Sequence, residues 1–122
     1  MNAFARTPKP PYYAVIFTSQ RTSGDNGYEL MAEEMVRLAA HQPGFLGLES
    51  VRNPDGFGIT VSYWTSEEAI RQWKDHTRHE LARRVGREIW YEDFFVRVSK
   101  VERAYRFEQA LSEDGAIRKE PY

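Results

Sequence analysis

Two runs of eight residues, Phe45 to Arg52 and Phe57 to Trp64, are separated only by Asn53, Pro54, Asp55 and Gly56. Proline presets one turn dihedral, Asn and Asp bond back to nearby backbone, and glycine accepts positive φ, so this tetrapeptide reverses the chain. The flanking runs are thereby committed to an antiparallel hairpin, and the rest of the chain must be built around a sheet that contains it. In the second run Phe57, Ile59, Val61 and Tyr63 alternate with Gly58, Thr60, Ser62 and Trp64. One face is apolar and the other mixed, and the mixed face is a candidate lining for a ligand space.

Upstream, Met1 to Pro11 carries Pro8, Pro10 and Pro11 and reads as an extended leader. Tyr12 to Gln20 is aromatic and β-branched, with Tyr13, Val15 and Phe17 on one face and Tyr12, Ala14, Ile16 and Thr18 on the other, so both faces should be covered. A polar loop, Thr22 to Gly27, precedes a helix predicted from about Gly27 to His41, with Asn26 and Glu29 as its capping pair. Met31, Met35 and Leu38 form its apolar stripe, with Ala39 beside them, and Pro43 and Gly44 stop it. His41, in the last turn, meets the negative end of the helix dipole, which is a structural role.

The segment Trp64 to Tyr91 holds all three tryptophans and two of the three histidines. It carries two apparent start signals, Thr65 before Glu68 and Thr77 before Glu80, and so predicts two consecutive helices with a turn near Asp75 and His76. Trp73 and His76 would then sit at a helix junction, where side chains can reach a gap between helix and sheet. A last strand is predicted over Glu92 to Arg103, with Phe94, Val96 and Val98 on one face and a period slip near Ser99 and Lys100 before Val101 and Tyr105. Glu108 to Tyr122 is a charged tail without sustained period.

The order strand, helix, strand, strand, helices, strand defines an α+β ferredoxin-like sandwich, a four-stranded antiparallel sheet with helices on one face. The expected organisation is a leader at 1–11, one domain at 12–107 and a tail at 108–122. Because the strands are apolar on both faces and the helices cover one, the open face should pack on a second copy to give a homodimer. With 17 basic and 18 acidic residues there is no broad electrostatic footprint for nucleic acid or an anionic membrane. The absence of cysteine removes disulfides, thiolate metal sites and cysteine nucleophiles. No apolar run approaches the roughly twenty residues of a membrane span, and a soluble cytoplasmic protein is expected.

Several features in this order and spacing resemble the antibiotic biosynthesis monooxygenase family of dimeric α+β barrels. They are Gln42-Pro43-Gly44-Phe45, Glu49-Ser50, Ser62-Tyr63-Trp64, Ser66-Glu67-Glu68-Ala69, Trp73, His76, His79, Gly86, Trp90-Tyr91 and the run Val98 to Arg103. The resemblance covers about Tyr12 to Phe107. It implies a chemistry drawn from metal-free and flavin-free oxygenation of phenols and quinols, haem degradation, or isomerisation. The haem-degrading branch uses a histidine ten residues beyond the position of Trp73, where this chain has Arg83, and an asparagine in the first strand, where it has none.

A cofactor-free oxygenase must deprotonate an electron-rich phenol, stabilise the oxyanion, hold it near dioxygen and exclude water. His76 and His79 are the candidate bases, since imidazole titrates near neutrality. Arg83, one turn beyond His79, is the candidate oxyanion partner, and Trp64, Trp73, Trp90 and Tyr91 are the candidate walls for a small aromatic substrate. Trp64 and Trp90 also suit closure of a core. No metal is expected, because Thr77 and Glu80 are accounted for by capping and no further histidine or cysteine lies near His76 and His79 in sequence. Arg78, Arg83, Arg84 and Arg87 read mainly as a solvated face, and Gly86 as a point of close approach. The leading expectation is a cofactor-independent monooxygenase for a phenolic or quinol-type compound. The alternatives are a non-catalytic small-ligand-binding dimer and a haem-binding or haem-degrading relative.

Overall fold

The computed structural model describes residues 4–83 and 90–107, with the side chains of 80–83 outside that description. The elements run β1 (Tyr12–Arg21), α1 (Tyr28–Ala40), β2 (Phe45–Arg52), β3 (Phe57–Trp64), α2 (Glu67–Arg83) and β4 (Tyr91–Val101). They form one antiparallel sheet in the order β2-β3-β1-β4. This is the ferredoxin-like α+β sandwich that the order of elements predicts. The hairpin closes as its turn chemistry requires: the Asn53 N–H donates to the Phe57 carbonyl and the Gly56 N–H to the Asn53 carbonyl.

Register assigns each side chain to a layer. Tyr13 and Val15 pack on the buried cluster of Trp64, Ala69 and Ile70, so their face of β1 meets α2. Val15 is opposite Ser62 and Val98, Phe17 is opposite Thr60 and Val96, Leu48 is opposite Ser62, and Ser50 is opposite Thr60. The mixed face of β3 is thus the helix-facing one. Phe57, Ile59, Val61 and Tyr63 point to the open side with Val51 and Phe95, and Ile59 is 42% and Phe95 58% exposed. Residues of the leader touch one corner of that open side: the Ala5 N–H donates to Glu49 Oε2, Tyr63 OH donates to Glu49 Oε1, and Thr7 hydrogen-bonds to Tyr12 OH. This accounts for the burial of Tyr12 on a face otherwise left uncovered.

Four local expectations are corrected. The two predicted helices are one: α2 runs through Asp75 and His76 without a break. Thr77, taken as a second cap, instead donates its hydroxyl to the Lys74 carbonyl one turn back, an arrangement that a continuing helix tolerates. The cap of α2 is Ser66, whose Oγ accepts the Ala69 N–H, while Glu68 turns outward to Arg71 and Gln72. At α1 the donors are satisfied by Asp25, which accepts from the N–H groups of Gly27 and Glu29, and Asn26 sits at φ 50° without capping. In β4 the register with β1 is continuous from Val101 to Asp93, and the irregularity lies between Gln20 and Arg21, opposite Tyr91, rather than at Ser99. Tyr105 falls beyond the strand.

Gly44 lies between α1 and β2, against the start of α2. It has φ +85°, and a Cβ there would lie 2.6 Å from Ala69 Cβ and 2.7 Å from Thr65 Oγ1. Its carbonyl accepts the Thr65 N–H at 2.8 Å, so both its conformation and its lack of a side chain are required.

Candidate functional site

Trp64 closes β3 and is fully buried, the largest such side chain among the described residues. Its ring meets Phe45 edge-on at 5.3 Å and lies at 30° to Trp73 with centroids 5.8 Å apart. Trp73, half-buried on α2, in turn stacks on the imidazole of His76 at 5.7 Å and 19°. These three rings form one stack between helix and sheet because i and i+3 on a helix share a face. Unbroken helix, rather than a junction, brings Trp73 and His76 together.

His76 carries the one unmet polar demand of this stack. Its Nε2 is buried and has no hydrogen-bond partner among the described residues. Buried polar atoms are normally paired, so an orphan in an aromatic layer marks a place for a ligand atom. The helix-facing side of the sheet carries hydroxyls: Ser50 and Thr60 hydrogen-bond across the hairpin at 2.6 Å, and Ser62 accepts from Trp64 Nε1 at 2.9 Å. The sequence reading placed the mixed face as a lining but gave Ser62 no role. Its signal was the alternation itself, since a hydroxyl two residues before a strand-ending tryptophan lies on the same face.

Of the other sequence candidates, the structure describes the side chains of His79, Trp90 and Tyr91, none of which joins the stack. His79 is exposed on α2, and the side chain of Arg83 lies outside the described residues, as do Gly86, Arg84 and Arg87. Trp90 and Tyr91 are at the far end of the sheet: Tyr13 pairs with Trp64 and Arg21 with Tyr91, eight residues apart along β1, or about 26 Å. Trp90 is buried and donates its Nε1 proton to the Asn26 carbonyl, a core-closing role. Among the described residues no cluster of three potential metal ligands occurs, and no helix is long and apolar enough to cross a membrane.

Tyr91 belongs to a second aromatic and cationic cluster with Phe17, Tyr28 and Phe94. Arg21 lies 3.7 Å over the Tyr28 ring, and Arg52 reaches Ser19 Oγ at 2.8 Å and Tyr28 OH at 3.4 Å. Burial first, then the hydrogen bond to Tyr28, holds the Tyr91 phenol well above the ordinary tyrosine range. Outside this cluster a 550 Å³ cleft lies between the Gln20 to Asp25 loop and the hairpin turn. It mixes Arg21 and Arg52 with Asp25, Asp55 and Glu92, and both arginines spend their donors chiefly on backbone carbonyls that fix these loops. Arg21 Nε is, like His76 Nε2, a buried polar atom without a hydrogen-bond partner among the described residues. At this end, however, the other arginine donors are taken up by the loops, whereas at the Trp64, Trp73, His76 stack the orphan atom lies in an aromatic layer.

A one-sided α+β sandwich with an aromatic stack and an unspent imidazole under its helix layer defines the structural class. The chain belongs to the antibiotic biosynthesis monooxygenase family, whose family model matches residues 11–85. It is 56% identical to YqjZ of Bacillus subtilis over 109 residues, 89% of this chain and 96% of that protein. It is 28% identical over 99 residues to the jasmonate monooxygenase ABM of Pyricularia oryzae, a match that spans 77% of this chain and 45% of that enzyme. Among solved structures, SnoaB of Streptomyces nogalater, a cofactor-independent oxygenase, superposes with a TM-score of 0.61 at 15% identity, covering 76% of this chain and 95% of SnoaB. PA3566 of Pseudomonas aeruginosa gives 0.60 at 16% identity over 80% of this chain and 99% of that one. At these identities the superpositions speak for the fold.

Proposed function

We propose that this protein is a cofactor-independent monooxygenase acting on a phenolic or quinol-type aromatic compound, with His76 as the base. The observation that carries the reading is the buried, unpartnered Nε2 of His76 stacked on Trp73. A phenol seated beside the stack gives its hydroxyl proton to that nitrogen. The resulting phenolate is electron-rich enough to react with dioxygen directly, so the substrate itself supplies the electrons. For a ring C–H para to the hydroxyl, one atom of O2 becomes a new carbonyl oxygen. The other leaves as water, taking the ring hydrogen and the hydroxyl hydrogen, and the product is a quinone.

Trp73 supplies the wall that keeps the base dry, and fully buried Trp64 backs it. Support from outside the site comes from family membership and from relatives named as monooxygenases. His79 and Arg83 are secondary in this reading, Arg83 remaining the candidate cation at the end of α2.

The functional unit in this reading is a homodimer. Exposed Phe57, Ile59, Val51 and Phe95 share the open face, an apolar surface that a second copy would cover. The test of the activity is oxygen uptake by chelator-treated protein offered a panel of naphthols, anthrones and quinols. Uptake that carries one atom of isotopically labelled dioxygen into the quinone supports the reading, and a panel on which the folded protein consumes no oxygen overturns it in favour of a binding protein.

A further inference from the structure

We infer that Ser62 donates its hydroxyl proton to a second oxygen of the bound ligand, and that Trp64 is the residue that fixes it in that role. The inference rests on the proposed site and adds a requirement on its substrate. An indole N–H can only donate, so in the 2.9 Å contact between Trp64 Nε1 and Ser62 Oγ the serine is the acceptor. The serine proton is therefore free of that bond. Among the described residues Ser62 has no other side-chain hydrogen bond, unlike Ser50 and Thr60, which satisfy each other.

Ser62 is half-buried on the helix-facing side, between Val15 and Leu48 in the register. Its unspent donor and the unspent Nε2 of His76 thus border one aromatic stack, Ser62 at the Trp64 end and His76 at the Trp73 end. An unpaired nitrogen at one end of an apolar layer and an uncommitted hydroxyl proton at the other suit a planar ligand with oxygens at both ends of a conjugated system.

The chemistry is consistent with that ligand. When its hydroxyl gives a proton to His76, the electron pair left behind delocalises across the ring onto the distal oxygen, and the Ser62 O–H then donates to a developing oxyanion. No bond to carbon changes and no electron leaves the ligand in this step. A hydrogen bond to a charged acceptor is stronger than one to a neutral acceptor, so Ser62 favours the ionised ligand over the neutral one. The preferred substrate is thereby a hydroxyaryl ketone whose hydroxyl and carbonyl oxygens are conjugated, rather than a simple phenol.

The test uses 4-nitrophenol as the probe, because its hydroxyl and nitro oxygens lie at opposite ends of one conjugated ring and its phenolate is coloured. The probe is titrated with pH on the folded protein, with near-ultraviolet circular dichroism confirming the tryptophan packing of each variant. Wild type should ionise the bound probe about one pH unit lower than Ser62→Ala does, with Ser62→Thr restoring most of the difference. Trp64→Phe, which keeps an aromatic ring and removes the N–H, should fall between them.

A bound probe that ionises at the same pH on wild type and Ser62→Ala overturns the inference, as does a wild-type protein that does not bind it. A Trp64→Phe chain matching wild type overturns the part assigned to Trp64. Because the titration needs no turnover, it is separate from the fate of the oxygenase reading: absent oxygen uptake with an intact Ser62 effect would leave the ligand site standing without the reaction.

Discussion

The imidazole of His76 lies nearly parallel to the indole of Trp73, at 19° and 5.7 Å, one helical turn away on α2. In the proposed reaction His76 is the base, and the indole face that holds its ring plane sets the direction in which Nε2 points. Trp73→Ala should therefore lower kcat/KM by about 10²-fold through misplacement of His76, while Trp73→Phe keeps a stacking face and most of the activity. Steady-state kinetics on a quinol consumed by wild type would decide it, and equal losses in the two variants would remove the positioning role.

Gly44 is held by three requirements at once, a φ of +85°, contact with Ala69 and contact with Thr65. Gly44→Ala should cost about 2–3 kcal/mol and lower the melting temperature by about 10 °C or more. A variant melting within 2 °C of wild type, roughly, would mean that the loop relaxes around the added carbon.

The raised phenol of Tyr91 sets the sign of the alkaline response. The folded chain keeps that proton at a pH where the unfolded chain, with an ordinary tyrosine near about 10, has lost it. Stability is therefore unaffected by this group below about pH 10 and falls as pH rises beyond it, because protons bound to the folded state exceed those on the unfolded one. Urea midpoints between pH 8 and pH 11.5, roughly, should fall more steeply for wild type than for Tyr91→Phe. Parallel slopes would contradict the assignment to Tyr91.

The apolar open face makes a prediction about assembly. Ile59→Glu places a charge at the middle of β3 on that face and should convert a dimer to a folded monomer, read by sedimentation velocity. A wild-type protein that sediments as a monomer would contradict the proposed second copy.

How far the sequence carried the description depended on whether a signal was local. The hairpin was legible because Asn53, Pro54, Asp55 and Gly56 act within four residues, and the alternation of β3 then separated an apolar face from a mixed one. Two neighbouring Asx residues precede α1, and the pattern could not tell that Asp25 rather than Asn26 would cap it. Thr77 was misread because a threonine three residues before a glutamate looks the same whether it starts a helix or bonds back inside one.

Which of the candidate site residues lie together was half legible, for a topological reason. Trp73 and His76 are near in sequence and share a helix face, so they stay together. Trp90 and Tyr91 are also near in sequence to α2, but β4 pairs with β1 in the sense that carries them to the opposite end of the sheet. The orphaned Nε2 of His76 and the committed acceptor of Ser62 are properties of packing, which no spacing rule reports.

The most direct test of the central claim compares oxygen uptake by wild type, His76→Ala and His79→Ala on one quinol substrate. A wild-type rate retained by His79→Ala and lowered at least about 10²-fold in a folded His76→Ala protein is the predicted result. A His76→Ala protein that consumes oxygen as fast as wild type would contradict the assignment of the buried imidazole as the base.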